Sequence, residues 1–130
     1  MSIMSWSESY SVGSLGIDAQ HKKLFDLVNE LHDAMSQGKG KEILGATLDK
    51  LVNYSKEHFA IEEKMLANVN YPDLPTQKLE HAAFIQKVFE LQTQYRSGKV
   101  ALTLPVMEFL KDWLVNHIIK NDQKYMAYVK

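Results

Sequence analysis

Hydrophobic positions recur along most of the chain at steps of three and four residues, the period of one helical face turned toward a core. The first run carries Leu24, Phe25, Val28, Leu31 and Met35. It follows an arm of about 17 residues rich in Ser and Gly, with Asp18 expected as N-cap and "QGKGK" as the stop. A second run passes through Ile43, Leu44, Leu48, Leu51, Val52, Phe59, Met65 and Leu66, and "NVNYPDLP" closes it. The third, with Thr76 expected as cap, carries Leu79, Phe84, Ile85, Val88 and Leu91 up to "RSGK". The fourth opens at "LTLP", where Thr103 can cap and Pro105 is tolerated in the first turn, and continues through Val106, Phe109, Leu110, Trp113, Leu114 and Ile118. No alternating strand pattern competes with these runs. Four helices of about 20 residues, each about 30 Å long, joined by short loops, predict an all-α fold: an antiparallel up-down-up-down four-helix bundle with an N-terminal arm.

Composition narrows the chemistry. A length of 130 residues suits one domain, so residues 1–130 are expected to form one unit, with 1–17 as the arm. The 15 basic and 16 acidic residues leave no surplus of positive charge to attract nucleic acid or an anionic membrane. With no cysteine, thiolate metal sites, iron-sulfur clusters and cysteine nucleophiles are excluded, and any metal must be held by nitrogen and oxygen. The N-terminus "MSIMSWSESYSVGSLG" lacks a basic start followed by an apolar run. A cytoplasmic location is expected.

The histidines change the picture most. Of His21, His32, His58, His81 and His117, four fall within the apolar stripes of four different helices. A lone histidine on such a face is more often a hydrogen-bonded core residue than a ligand. Four independent burials would need four partners, whereas a shared metal satisfies all four together. In "HFAIEEKM", His58 and Glu62 lie about 40° apart on one helical face and can reach one centre. Glu63 turns about 100° further round and reads as solvated. In "HIIKND", Asp122 follows His117 by five residues, about 140° around an ideal helix, so geometry alone would not pair them. Imidazole and carboxylate suit iron, manganese or zinc, and bundle interiors commonly house paired irons. The Glu-x-x-His pairs of ferritin-like proteins are missing.

The arm "MSWSESYSVGSLGIDAQHKKLFDLVNELHD" and the segments "HFAIEEKMLANVNYP", "KLEHAAF" and "FLKDWLVNHIIKNDQKY" span nearly the whole chain. Together they resemble the hemerythrins, in particular the single-domain bacterial members. The resemblance implies two non-haem irons, bridged by an oxo or hydroxo group, that bind dioxygen or another small diatomic ligand reversibly. By position, His21 and His58 resemble the histidines of one iron, and His81 and His117 two of the three on the other. Glu62 and Asp122 resemble the bridging carboxylates, and His32 matches no ligand. Phe59, Trp113 and Leu114 correspond to residues lining a dry oxygen pocket, although each is also ordinary core material. Such a pocket would suppress autoxidation by excluding water.

The family pattern on the third helix is H-x-x-x-H, and this chain reads "QKLEH". Gln77 thus stands at a ligand position, one turn before His81. A neutral amide oxygen is a weaker donor to ferrous iron than imidazole. Three outcomes are open: Gln77 or a water replaces the nitrogen, both irons gain accessible positions, or one iron is lost. Besides an oxygen carrier, store or scavenger, two other functions compete. One is a di-iron oxidoreductase acting on peroxide or nitric oxide, with Tyr54, Tyr125 and Tyr128 as electron carriers. The other is an oxygen-sensing interaction module, for which the sequence names no protein partner.

Overall fold

In a computed structural model the described residues are 4–38, 41–98 and 104–129. They form α1 (Leu15–Ser36), α2 (Lys41–Asn68), α3 (Leu74–Arg96) and α4 (Leu104–Lys120), followed by a 3₁₀ turn (Asp122–Tyr125) and a last helical turn, α5 (Met126–Val129). A short 3₁₀ turn, Glu8–Tyr10, lies in the arm. No strand occurs among the described residues, and short connections fold successive helices back on one another as the antiparallel bundle expected from the hydrophobic period.

The helix ends follow from local chemistry. α1 begins at Leu15, three residues before the expected Asp18 cap, because the Ser14 side chain accepts from Ile17 N and caps the free amides. The arm therefore ends at Ser14. Asp18 does other work: its Oδ1 accepts from Val12 N at 2.9 Å and its Oδ2 from Ser11 Oγ at 2.6 Å, pinning the arm to the first turn. α2 stops where Asn70 takes the left-handed conformation at φ 55. There Tyr71 N donates to Leu66 O at 3.0 Å and Asn70 N to Ala67 O at 3.1 Å, the paired bonds of a Schellman ending. α3 begins at Leu74 and not after Thr76, since Pro75 fits a first turn that has no need of its amide. The expected Thr103 cap of α4 lies outside the described residues.

Burial corrects three of the expected core positions. Ile43, Leu79 and Phe109 are exposed. Leu79 illustrates the reason: α3 turns Gln77, His81, Phe84 and Val88 inward, and a residue two beyond Gln77 is about 200° round the helix. The inward stripe of α3 begins with polar residues, so an apolar period read from Leu79 starts on the wrong face. The core has two parts. A large cluster includes Leu24, Val28, Leu31, Leu48, Leu51, Phe84, Val88, Leu110 and Ile118, and a small one gathers Val12, Ile17, Leu66, Tyr71 and Tyr125. His21, His58, His81 and His117 fall at the junction of these clusters, and His32 does not. The arm is bound to the bundle by paired hydrogen bonds between Met4 backbone and the Asn29 amide, each 2.8 Å, and by Trp6 and Tyr10 edge-on to Phe25.

Asp18→Ala should lower the unfolding free energy by about 1–3 kcal/mol, since it strands the buried Val12 amide. Urea unfolding, with hydrogen exchange at Val12 accelerated ahead of α2 amides, is the check; unchanged exchange would show that Asp18 does not hold the arm.

Candidate metal centre

Each of α1 to α4 sends at least one polar side chain into the layer between the two apolar clusters. His21 comes from α1, His58 and Glu62 from α2, Gln77 and His81 from α3, and His117 from α4, with Asp122 just beyond it. All are buried. The four-residue spacings put His58 with Glu62, and Gln77 with His81, on single faces. Asp122 arrives by another route. α4 ends at Lys120, and Asn121 at φ −111 and ψ −54 leads into the 3₁₀ turn. This change of winding brings Asp122 Oδ1 to 3.1 Å from His117 Nε2, which an uninterrupted α-helix would not do.

The two carboxylates each face both sides of the layer. Glu62 Oε1 lies 3.0 Å from His81 Nε2, while its Oε2 lies 3.6 Å from His21 Nε2 and 3.7 Å from His58 Nε2. Asp122 places Oδ1 by His117 and Oδ2 at 3.2 Å from His21 Nε2. One donor atom each from Glu62, His81, His117 and Asp122 falls within 4.8 Å of the others, as does one each from His21, His58 and Glu62. His32 stands apart, with Asp33 as its neighbouring carboxylate at 3.9 Å.

The imidazoles are held by their outer nitrogens. His58 Nδ1 donates to Gln20 Oε1 at 2.6 Å, His81 Nδ1 to Glu63 Oε2 at 2.8 Å, and His117 Nδ1 to Glu80 Oε1 at 3.3 Å. An amide oxygen or a carboxylate can only accept, so these bonds put a proton on Nδ1 and, in the neutral ring, leave a lone pair on each inward Nε2. Glu63 is therefore not the solvated residue its angle suggested. All three partners sit one residue from an inner donor and serve a histidine of a neighbouring helix: Gln20 beside His21, Glu63 beside Glu62, and Glu80 beside His81. That adjacency is a readable signal which the histidine spacing alone passes over. Tyr125 is a further member: its hydroxyl donates to Glu62 Oε2 at 2.6 Å from full burial. Tyr128 is exposed and Tyr54 packs on the large core.

Rings cover one side. Phe59 stacks on His81 with centroids 3.9 Å apart, and Trp113 stacks on His117 at 4.5 Å. Leu114 is buried in the same cluster.

Titration behaviour is shaped by burial set against charge. For His21, burial opposes protonation, but Asp122 and Glu62 outweigh it and raise the pKa to about 9. For His58, burial dominates the attraction of Glu62 and lowers the pKa to about 4. His117 is raised against burial by Asp122 and then Glu62. Glu62 sits well below the usual carboxylate range: its burial is overcome by His21 and His81. Burial first, with Glu62 and Asp122 adding, raises the Tyr125 phenol, which stays protonated.

A family model described as the hemerythrin HHE cation binding domain matches residues 14–129. The chain belongs to the hemerythrin family. Its hemerythrin domain is 36% identical over 126 residues to a bacteriohemerythrin of Methylococcus capsulatus, covering 96% of this chain and 95% of that one. It is 35% identical to a hemerythrin-like protein of Naegleria gruberi, over 93% and 89% of the two chains. Among solved structures, a wild-type hemerythrin crystal structure superposes with a TM-score of 0.93 at 33% identity, covering 98% of each chain. No described helix is long and apolar enough to cross a membrane.

The family implies a non-haem di-iron site, and the hemerythrin domain has the donors for it. His81 Nε2 and His117 Nε2 stand 3.1 Å apart, both inward lone pairs when the outer nitrogens donate, a contact that a cation relieves. His21 Nε2, Glu62 Oε1 and Asp122 Oδ2 are buried without an aligned hydrogen bond, although each has an opposite group nearby. Imidazole and carboxylate without sulfur is a set suited to iron.

In the metal-free hemerythrin domain, His21 should titrate near pH 9 and His58 near pH 4. Ring-carbon NMR shifts followed across pH would show this; equal pKa values near 6.5 for both would contradict the layer geometry.

Proposed function

We propose that this hemerythrin domain binds dioxygen reversibly at a non-haem di-iron centre held by His21, His58, Glu62, His81, His117 and Asp122. The observation that carries the reading is the double facing of the carboxylates, each with one oxygen toward His21 and the other toward the His81 and His117 pair. When bound, the irons supply the electrons and the coordination position that dioxygen requires.

The chain's own residues set the conditions. Gln20, Glu63 and Glu80 orient three imidazoles through their outer nitrogens. Tyr125 fixes Glu62 by hydrogen bonding to Oε2, which limits how the carboxylate can turn. Phe59, Trp113 and Leu114 keep water from the aromatic side of the centre, which favours release of dioxygen in the form in which it bound.

A second reading, a di-iron oxidoreductase acting on peroxide or nitric oxide, draws support from Tyr125, a buried phenol in direct contact with a bridging candidate. Peroxide turnover by the iron-loaded protein that falls at least tenfold in Tyr125→Phe would favour it over reversible binding.

Protein loaded anaerobically with ferrous iron should hold two irons per chain and, on exposure to air, develop near-ultraviolet and visible absorption that disappears on deoxygenation. Irreversible bleaching counts against the reading. Glu62→Ala, which removes a donor from both sides, should leave less than one iron per chain by elemental analysis while the far-ultraviolet helix signal persists.

A further inference from the structure

Gln77 is 2% exposed, and its Nε2 donates to Asp122 Oδ1 at 3.0 Å. That contact decides which way the amide faces. An amide oxygen at this distance from a carboxylate oxygen would oppose two acceptors, so the NH₂ group must point at Asp122. Its nitrogen lone pair is delocalised into the carbonyl and is a poor metal donor. The amide oxygen, like His21 Nε2 and Asp122 Oδ2, is buried without a hydrogen-bond partner, so the bond from Nε2 fixes the amide on Asp122 and the iron content of Gln77→Ala decides whether that oxygen donates.

Counted by side, the centre is then balanced. His81 and His117 share Glu62 and Asp122 on one side. His21 and His58 share Glu62 on the other, where Asp122 Oδ2 also lies 3.2 Å from His21 Nε2. Two imidazoles with carboxylates is a donor set that leaves positions open on iron.

Beside Gln77 a pocket of about 30 Å³ is lined by Tyr71, Asp73, Thr76, Gln77, Asn121 and Lys124. Asp73, Thr76 and Lys124 are exposed at its rim, while Tyr71 and Gln77 are buried. It can hold about one water-sized group. Lys124, Thr76 and Asn121 offer it hydrogen-bond donors and Asp73 a carboxylate at the rim, a mixed lining that suits water and admits a small anion on the Lys124 side.

We propose that Gln77 positions Asp122 and does not bind metal, so that the ion on the His81 and His117 side has an exchangeable position of its own, the second in the centre, reached by water or a small inorganic anion through the pocket beside Gln77. The inference rests on the di-iron reading above. It gives the centre one replaceable ligand on each ion, and it makes Gln77 the residue that sets the number.

Azide is the probe. Wild type, Gln77→His and Gln77→Ala are loaded with iron and oxidised to the diferric state. Iron per chain is measured, and azide is titrated by calorimetry and by its charge-transfer band. Wild type should hold two irons and two azides, Gln77→His two irons and one azide, and Gln77→Ala two irons. One azide in wild type overturns the inference, as does the loss of an iron in Gln77→Ala, which would make the amide oxygen a donor. Wild type with fewer than two irons overturns the di-iron reading itself and the inference with it, whereas two irons with a single azide removes the Gln77 inference alone. Circular dichroism verifies folding; should Gln77→His not fold, the wild-type azide count and the iron content of Gln77→Ala decide.

Discussion

Two buried carboxylates set among four imidazoles are the constraint around which this bundle is organised. Burying an ion costs several kcal/mol or more even after relaxation, and one left without opposite charge is not tolerated. Glu62 and Asp122 are both almost wholly enclosed. Protonated His21 partly neutralises them in the metal-free chain. That compensation is incomplete, because His58 is neutral over most of the accessible pH range and several donor atoms lack aligned partners. A cationic pair between the two histidine sets would supply the missing opposite charge.

The rest of the fold protects that layer. Its outer shell is built from residues adjacent in sequence to inner donors, so the helices that supply donors also lock their neighbours' rings. Below the layer, Tyr125 ties Glu62 to the small cluster of Val12, Ile17, Leu66 and Tyr71. The arm reaches the same cluster through Val12, whose amide is held by Asp18. A segment rich in Ser and Gly thereby becomes part of the floor of the site, and its order depends on one buried carboxylate at the start of α1.

Sequence disclosed the bundle because four long amphipathic runs leave few alternatives. It disclosed the histidines because polar residues inside apolar stripes demand a reason. What it hid was governed by local geometry that periodicity averages away. Asp122 could not be paired with His117 from an ideal helical wheel, since the pairing depends on a switch to 3₁₀ winding after Lys120. Asp18 looked like a cap because its residue type suits one, yet Ser14 had already taken that role. Glu63 looked solvated because its partner lies on another helix, which no single-helix projection can show, and Glu80 meets His117 in the same way. Leu79 misled because α3 spends its inward face on Gln77 and His81, leaving apolar residues to mark the outside.

The side of the centre with Gln77 also has two unlike walls. Toward the large core, Phe59 and Trp113 lie face-on to His81 and His117, and packed rings there leave little room for a polar ligand to approach. Toward the turn after α4, the wall is the amide of Gln77 and the polar pocket beyond it. On the di-iron reading, an aromatic lid and a polar floor on one half-site would select differently: dioxygen, apolar and small, suits the first, while water and anions suit the second. An imidazole at position 77 would reach for metal and close the floor, whereas the amide is held by Asp122 and leaves it lined with hydrogen-bonding groups. In the proposed arrangement a single side chain sets whether the polar face of this half-site is sealed, without altering the helices that carry it.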